Sequence, residues 1–149
     1  MRLILRTPVQ GNYQKVLSQF NQDLLEALTP PGATVELIRF DGSHEGDIVH
    51  IRLSLFGLIK QDWVVEIPEE GFTEQKAWFV DRGTQLPFFL SQWEHHHIVE
   101  RTADHSTIVD DIRFGTPWWL PAFLMYPVLY LQFAYRKPIY QRIFGKPDA

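Results

Sequence analysis

The period of the hydrophobic positions changes twice along the chain. Leu3 to Thr7 read as a first strand, closed by Pro8 and Gly11. Asn12 suits a helix N-cap. After it, Val16, Phe20, Leu24 and Leu28 recur every four residues with Leu17 and Leu25 beside them, one apolar helical stripe. Asn21-Gln22-Asp23 can split that stretch into two short helices, and Thr29-Pro30-Pro31-Gly32 ends it. From Thr34 to Thr116 the period becomes two. Strands are predicted over Val35 to Asp41, Asp47 to Phe56, Lys60 to Pro68, Thr73 to Arg82, Phe88 to Thr102 and Ser106 to Phe114. Asp41-Gly42, Gly57, Glu70-Gly71, Gly83 and Asp104-His105 mark the turns. Loops this short join antiparallel neighbours, because a parallel pair needs a long crossover. Val49, Ile51, Leu53 and Leu55 share one face and His50, Arg52 and Ser54 the other, so one side of the sheet is buried.

The last segment behaves differently. Phe114 to Tyr135 carries no charge at all, and Arg136, Lys137, Arg142 and Lys146 follow. A membrane span needs ~20 apolar residues, but Pro117, Pro121, Pro127 and Gln132 interrupt this one. Basic residues after it would also force the preceding domain across the membrane. A long helix buried against the sheet, entered through Pro117 or Pro121 and kinked near Pro127, accounts for the same pattern. So does a helix whose edge touches lipid, with its aromatics near the headgroups.

The predicted order is one strand, one or two short helices, six antiparallel strands and a long final helix. Three stretches add detail: Thr7-Pro8-Val9; Phe89 to His97, reading F-L-S-Q-W-E-H-H-H; and Thr107 to Phe114 with Pro117, together with Phe133 to Arg136 and Phe144. In these the chain resembles the START-related SRPBCC superfamily, in its bacterial ligand-binding form. That superfamily includes polyketide cyclases and dehydratases, pollen-allergen relatives and lipid-transfer domains. The resemblance implies an α+β helix-grip fold over residues 1–149 as one domain. A curved antiparallel sheet of about seven strands would wrap the C-terminal helix and enclose a pocket.

Composition narrows the function classes. The 149 residues include 14 Lys plus Arg against 18 Asp plus Glu, a net charge of −4 that argues against nucleic acid. There is no cysteine, hence no thiol nucleophile or thiolate metal site. Aromatic residues reach 14%, enough to fill a core or line an apolar cavity. The opening Met1 to Arg6 is too short for a signal-peptide core, which makes the cytoplasm the expected location. Oligomeric state is not legible.

Chemistry concentrates on the last hairpin. Pairing Thr102 with Thr107 sets His95 opposite Phe114, His97 opposite Ile112, Val99 opposite Asp110 and Arg101 opposite Ile108, all on one face. Asp110 then lies diagonal to His97 and Arg101. Trp93, His95, His97 and Asp110 face the pocket, while Glu94, His96, Ile98 and Glu100 face solvent with Val109, Asp111 and Arg113. Three uses compete: a self-satisfied polar pair, an anchor for the polar end of an apolar guest, or catalysis with Asp110 orienting His97 as a general base. A zinc site on His95, His97 and Asp110 lacks a third histidine, since His50 faces outward on another strand. No metal or cofactor is therefore assigned. The Asp41 to Asp47 loop lacks the acidic ligand at position twelve of a calcium loop.

These readings predict a hydrophobic small molecule or lipid as ligand. The walls would be Val49, Leu53, Trp63, Trp78, Trp93, Ile112 and Phe114, with Trp119, Phe123, Tyr126 and Tyr130 from the helix; His95, His97 and Asp110 would be the polar anchors. The alternatives are a cyclase- or dehydratase-type enzyme using His97 and Asp110, and a cavity-poor module that docks on a membrane or protein.

Overall fold

A computed structural model describes residues 1–148. The chain runs β1 (Arg2–Val9), α1 (Tyr13–Ser18), α2 (Gln22–Ala27), β2 (Ala33–Phe40), β3 (Ile48–Leu55), β4 (Ile59–Phe72), β5 (Lys76–Gln85), β6 (Gln92–Arg101), β7 (Ser106–Gly115), α3 (Ala122–Ala134) and α4 (Arg136–Phe144). The seven strands form one antiparallel sheet in the order β1-β7-β6-β5-β4-β3-β2. This is the helix-grip architecture expected of the chain: short helices follow the first strand and the bent C-terminal helix packs against the sheet.

Local chemistry explains most boundaries. The Asn12 side chain accepts hydrogen bonds from the Gln14 and Lys15 amides and starts α1. Asn21 does the same for the Leu24 amide, so the expected break falls there and two helices form. In β1, Leu3, Leu5, Thr7 and Val9 point inward in strict alternation. β4 is longer than its pattern predicts because it continues past Pro68 to Phe72. It keeps pairing with β5 through two register shifts, at Val64/Val65 and between Glu66 and Glu69. Such irregularities bend a strand and increase its twist. β5 starts at Lys76 rather than Thr73, because the Thr73 hydroxyl accepts from the Gln75 and Lys76 amides and makes the turn. β6 starts at Gln92 rather than Phe88, since Pro87 to Leu90 closes a turn of its own.

The β6–β7 register differs from the expectation by two residues. Arg101 pairs with Ser106, His97 with Asp110, His95 with Ile112 and Trp93 with Phe114. The tighter loop follows from Thr102, whose amide and hydroxyl both donate to the His105 carbonyl. A slip of two keeps every side chain on its expected face.

The uncharged segment is helical from Ala122, directly after Pro121, and Pro127 lies within α3. The interruption comes later than predicted, at Tyr135. Pro138 supplies the cause: it has no N–H to offer the Ala134 carbonyl, and its ring crowds that oxygen. No helix among the described residues is long and apolar enough to cross a membrane. α4 is tied back to the first strand, with the Gln10 amide donating to the Gly145 carbonyl at 3.0 Å and Gln141 to the Pro8 carbonyl at 3.1 Å.

The buried side chains form two clusters. Val9, Tyr13, Val16, Val99, Ile108 and Tyr140 belong to one, under α1 and α4. Leu3, Trp93, Ile112, Phe114, Leu129 and Phe133 belong to the other, under α3. The helix caps can be tested directly. Asn21→Ala should cost about 1 kcal/mol, read as a lower urea midpoint with an unchanged slope.

Candidate functional site

Between the concave face of the sheet and helices α2 and α3 lies a cavity of about 550 Å³. Val49, Ile51, Leu53 and Leu55 of β3 line it, as do Trp63, Val65 and Ile67 of β4. Leu24 and Leu28 of α2 and Met125, Leu129 and Phe133 of α3 close it from the helical side. Phe88 and Trp119, also in the lining, stack with ring centres 6.2 Å apart and are both half exposed, which places them at its rim.

Of the residues expected in the wall, Val49, Leu53, Trp63, Trp93, His95, His97 and Trp119 do line the cavity. The other seven do not. Trp78 sits on the opposite face of β5 from Ala77 and Phe79. There the Lys76 ammonium lies 5.4 Å from its ring centre, and Gly71 leaves room that a Cβ would fill to within 2.6 Å of that ring. Phe79 and Asp81, on the Ala77 face of β5, line the cavity instead. Ile112 and Phe114 point inward but are covered by α3 in the second cluster. Asp110 is buried behind His95. Phe123, Tyr126 and Tyr130 lie on the outer side of α3, with Phe123 65% exposed. A helix segment without charges carries no mark of its outer side, so the sequence could not orient it.

One wall is polar. His95 Nε2 and Asp110 Oδ1 are 2.9 Å apart, and His97 Nε2 and Asp81 Oδ2 are 2.5 Å apart. The expected His97–Asp110 pair is thus replaced by two pairs, because His97 lies directly opposite Asp110 in the ladder while Asp81 reaches it from the other neighbouring strand. The two imidazoles are in contact, with centroids 3.6 Å apart and planes tilted by 30°. Phe79 covers His97 at 4.3 Å, and Phe133 meets His95 edge-on at 5.2 Å. Trp93 Nε1 donates to the remaining Asp81 oxygen at 2.9 Å. The Tyr140 hydroxyl lies 3.5 Å from Asp110 Oδ1.

Protonation follows from these contacts. Removal from water pushes His97 down to about 4; His95 pushes the same way, and the bond to Asp81 offsets only part of this. His97 is therefore neutral at pH 7. An ionised carboxylate only accepts, so Nε2 carries the ring proton and the Nδ1 lone pair is left over. Among the described residues that Nδ1 has no partner. Burial alone would raise both carboxyls, yet each is held below its ordinary value. Asp81 is held by the His97 hydrogen bond, by both imidazoles and by the Trp93 N–H. Asp110 is held by His95, Arg136 and His97. Burial also pushes the Tyr140 hydroxyl up, beside Asp110, so it stays a donor.

Asp81, His95 and His97 offer ligand atoms within 4.8 Å of one another, a different trio from His95, His97 and Asp110. A metal bound there would have to replace the 2.5 Å His97–Asp81 hydrogen bond, with Asp110 orienting His95 from behind. Sequence reasoning misses Asp81, which shares the inward face of β5 with Phe79 where Trp78 is expected, and Arg136, which follows the uncharged run like the first residue of a basic tail although it lines the cavity.

The pH behaviour of the cluster can be checked. His97 titrates lower in the folded chain, at about 4 against the ordinary 6.5, so the unfolded chain binds the extra proton between those values. Stability should fall as the pH drops through that window. It should fall further below it, as Asp81 and Asp110 are protonated. By NMR, the His97 ring resonances should stay constant from neutral pH down to about pH 5. A midpoint near its ordinary value would contradict the geometry described here.

No known family model matches the chain, and no curated protein matches it in sequence. Solved structures do match it in fold. Protein CV1439 from Chromobacterium violaceum superposes with a TM-score of 0.70 at 14% identity, covering 99% of each chain. The major latex-like protein 151 of Panax ginseng gives 0.67 at 14% identity, over 99% of this chain and 98% of that one. The Zhui aromatase/cyclase from a Streptomyces species gives 0.63 at 11% identity, over 96% and 95%. Members of the SRPBCC superfamily are among these neighbours, and the chain has their helix-grip fold.

Proposed function

We propose that this chain binds a hydrophobic small molecule or lipid in the cavity between sheet and helices. The observation that carries the reading is the cavity itself, about 550 Å³, walled by aliphatic and aromatic side chains from β3, β4, α2 and α3. Ligand pockets of ~300–1,000 Å³ suit drug-sized guests. Removing about 300 Å² of apolar guest surface from water is worth roughly 7 kcal/mol. The cost of immobilising the guest is set against that gain, so apolar burial of this size gives affinities no tighter than about 10 μM. The polar wall then sets orientation rather than strength. The likeness to an aromatase/cyclase and to a major latex-like protein supports a cavity-based role of this kind without naming the guest.

A catalytic use of the same space draws on one observation, the unpartnered Nδ1 of neutral His97 backed by Asp81. Such a lone pair suits proton abstraction beside a carbonyl, as in cyclisation or dehydration. The exposed apolar side of α3 and of the turn before it favours loading from a bilayer: Trp118, in that turn, is 96% exposed, and Phe123 and Leu131 of α3 are exposed with it.

Binding is tested with the neutral fluorophore N-phenyl-1-naphthylamine and by native mass spectrometry of the purified chain. The probe should bind, and Leu53→Trp, which fills the cavity, should weaken it about tenfold or more. Ile4→Ala, on the far face of the sheet, should leave it unchanged. No probe binding and no co-purified apolar molecule would overturn the reading. For the catalytic use, a His97→Gln variant with undiminished turnover of a ketone guest would do the same.

A further inference from the structure

Arg136 is the only Lys or Arg among the described residues that line the cavity. It opens α4, just past the interruption at Tyr135, which turns it inward next to Gln132 and Phe133 of the same wall. Its guanidinium carbon lies 4.2 Å from the Phe133 ring centre, so one flat face is covered by the aromatic ring. The edge carrying the N–H donors meets the Tyr140 hydroxyl but no carboxylate. Arg136 joins none of the ion pairs among the described residues. Its Nε is buried without a hydrogen-bond partner. A buried charged donor left this way carries its full desolvation cost, a cost that a bound acceptor removes.

The neighbouring carboxylates are already engaged. Asp81 accepts from His97 and Trp93, and Asp110 from His95 with Tyr140 behind it. Arg136 acts on Asp110 only through space. A ligand group meeting Arg136 therefore finds one cation without a carboxylate partner, planar and forked, beside carboxylates whose charge is partly covered by imidazole and indole donors. A fork of this kind takes a carboxylate with two parallel hydrogen bonds. A single guanidinium balances a single negative charge, whereas a phosphate dianion would bring a second charge towards Asp81.

Resting on the binding role proposed above, we infer that the guest is an apolar monocarboxylate, of fatty-acid or aromatic-acid type, whose carboxylate is held by Arg136 while its body fills the cavity. The His–Asp wall then faces the guest beyond its headgroup.

The test compares a long-chain fatty acid with its methyl ester, which share one apolar body and differ in charge. Each displaces N-phenyl-1-naphthylamine from the whole chain at pH 7.5. The acid should displace the probe at least tenfold more effectively than the ester. Arg136→Gln should reduce that ratio to about one, and Arg136→Lys, which keeps the charge without the fork, should give an intermediate ratio. Equal displacement by acid and ester in the natural chain, or a ratio unchanged in Arg136→Gln, would overturn the carboxylate assignment while leaving the cavity reading intact. Failure of the neutral probe to bind the natural chain would instead remove both.

Discussion

Two carboxylates stand in the polar wall of an apolar cavity, Asp81 in its lining and Asp110 buried behind His95, and the groups that hold them are a pair of imidazoles in contact. Taking Asp81 and Asp110 out of water is affordable only while His97, His95 and the Trp93 N–H stand within hydrogen-bond range. The four ionisable side chains come from three neighbouring strands, so the bonds exist in one register only. A one-residue slip of β6 against β5 or β7 would turn both histidines to the convex face and leave the carboxylates buried and alone. The polar cluster thus acts as a register pin for the centre of the sheet, around which the apolar walls are arranged.

The space beside that pin has a separate origin. β4 runs fourteen residues and pairs with β5 through two irregularities, which let the sheet bend around the helical layer. The helices then cover the two ends of the concave face more fully than its middle. Tyr140 and its neighbours fill one end and Phe114 with Phe133 the other. Both clusters draw on β1, β6 and β7, while the cavity extends over β4 and β3. Rings such as Trp63, Phe79 and Phe133 stand in its wall, but β3 contributes only aliphatic side chains, which are smaller and leave the space open.

The site combines two environments that favour different parts of one molecule. Aliphatic walls reward surface removed from water, with little regard to shape. The polar wall offers a neutral imidazole lone pair, covered carboxylates and a guanidinium without a carboxylate partner, which reward a definite headgroup in a definite place. The neighbours in fold include an aromatase/cyclase and a major latex-like protein, so the helix-grip fold by itself does not fix a use.

Much of this was legible in the residues. Asn12 and Asn21 mark the helix starts, Val49 to Leu55 mark which side of β3 is wet, and the parity of Trp93, His95 and His97 puts them on the inner face, because capping and alternation depend only on near neighbours in the chain. Three things were not legible. Which histidine bonds which aspartate depends on the Thr102 turn and on where β5 begins, and each moved by two or three residues. The inner side of α3 could not be read, since Phe123, Tyr126 and Tyr130 look no different from Met125, Leu129 and Phe133 when no charge marks the outside. Arg136 opens a basic run in the sequence, and only the break at Tyr135, ahead of Pro138, turns it inward. Local order was written in the sequence; partnership among buried charges was decided by strand register and helix rotation, which only the assembled core can set.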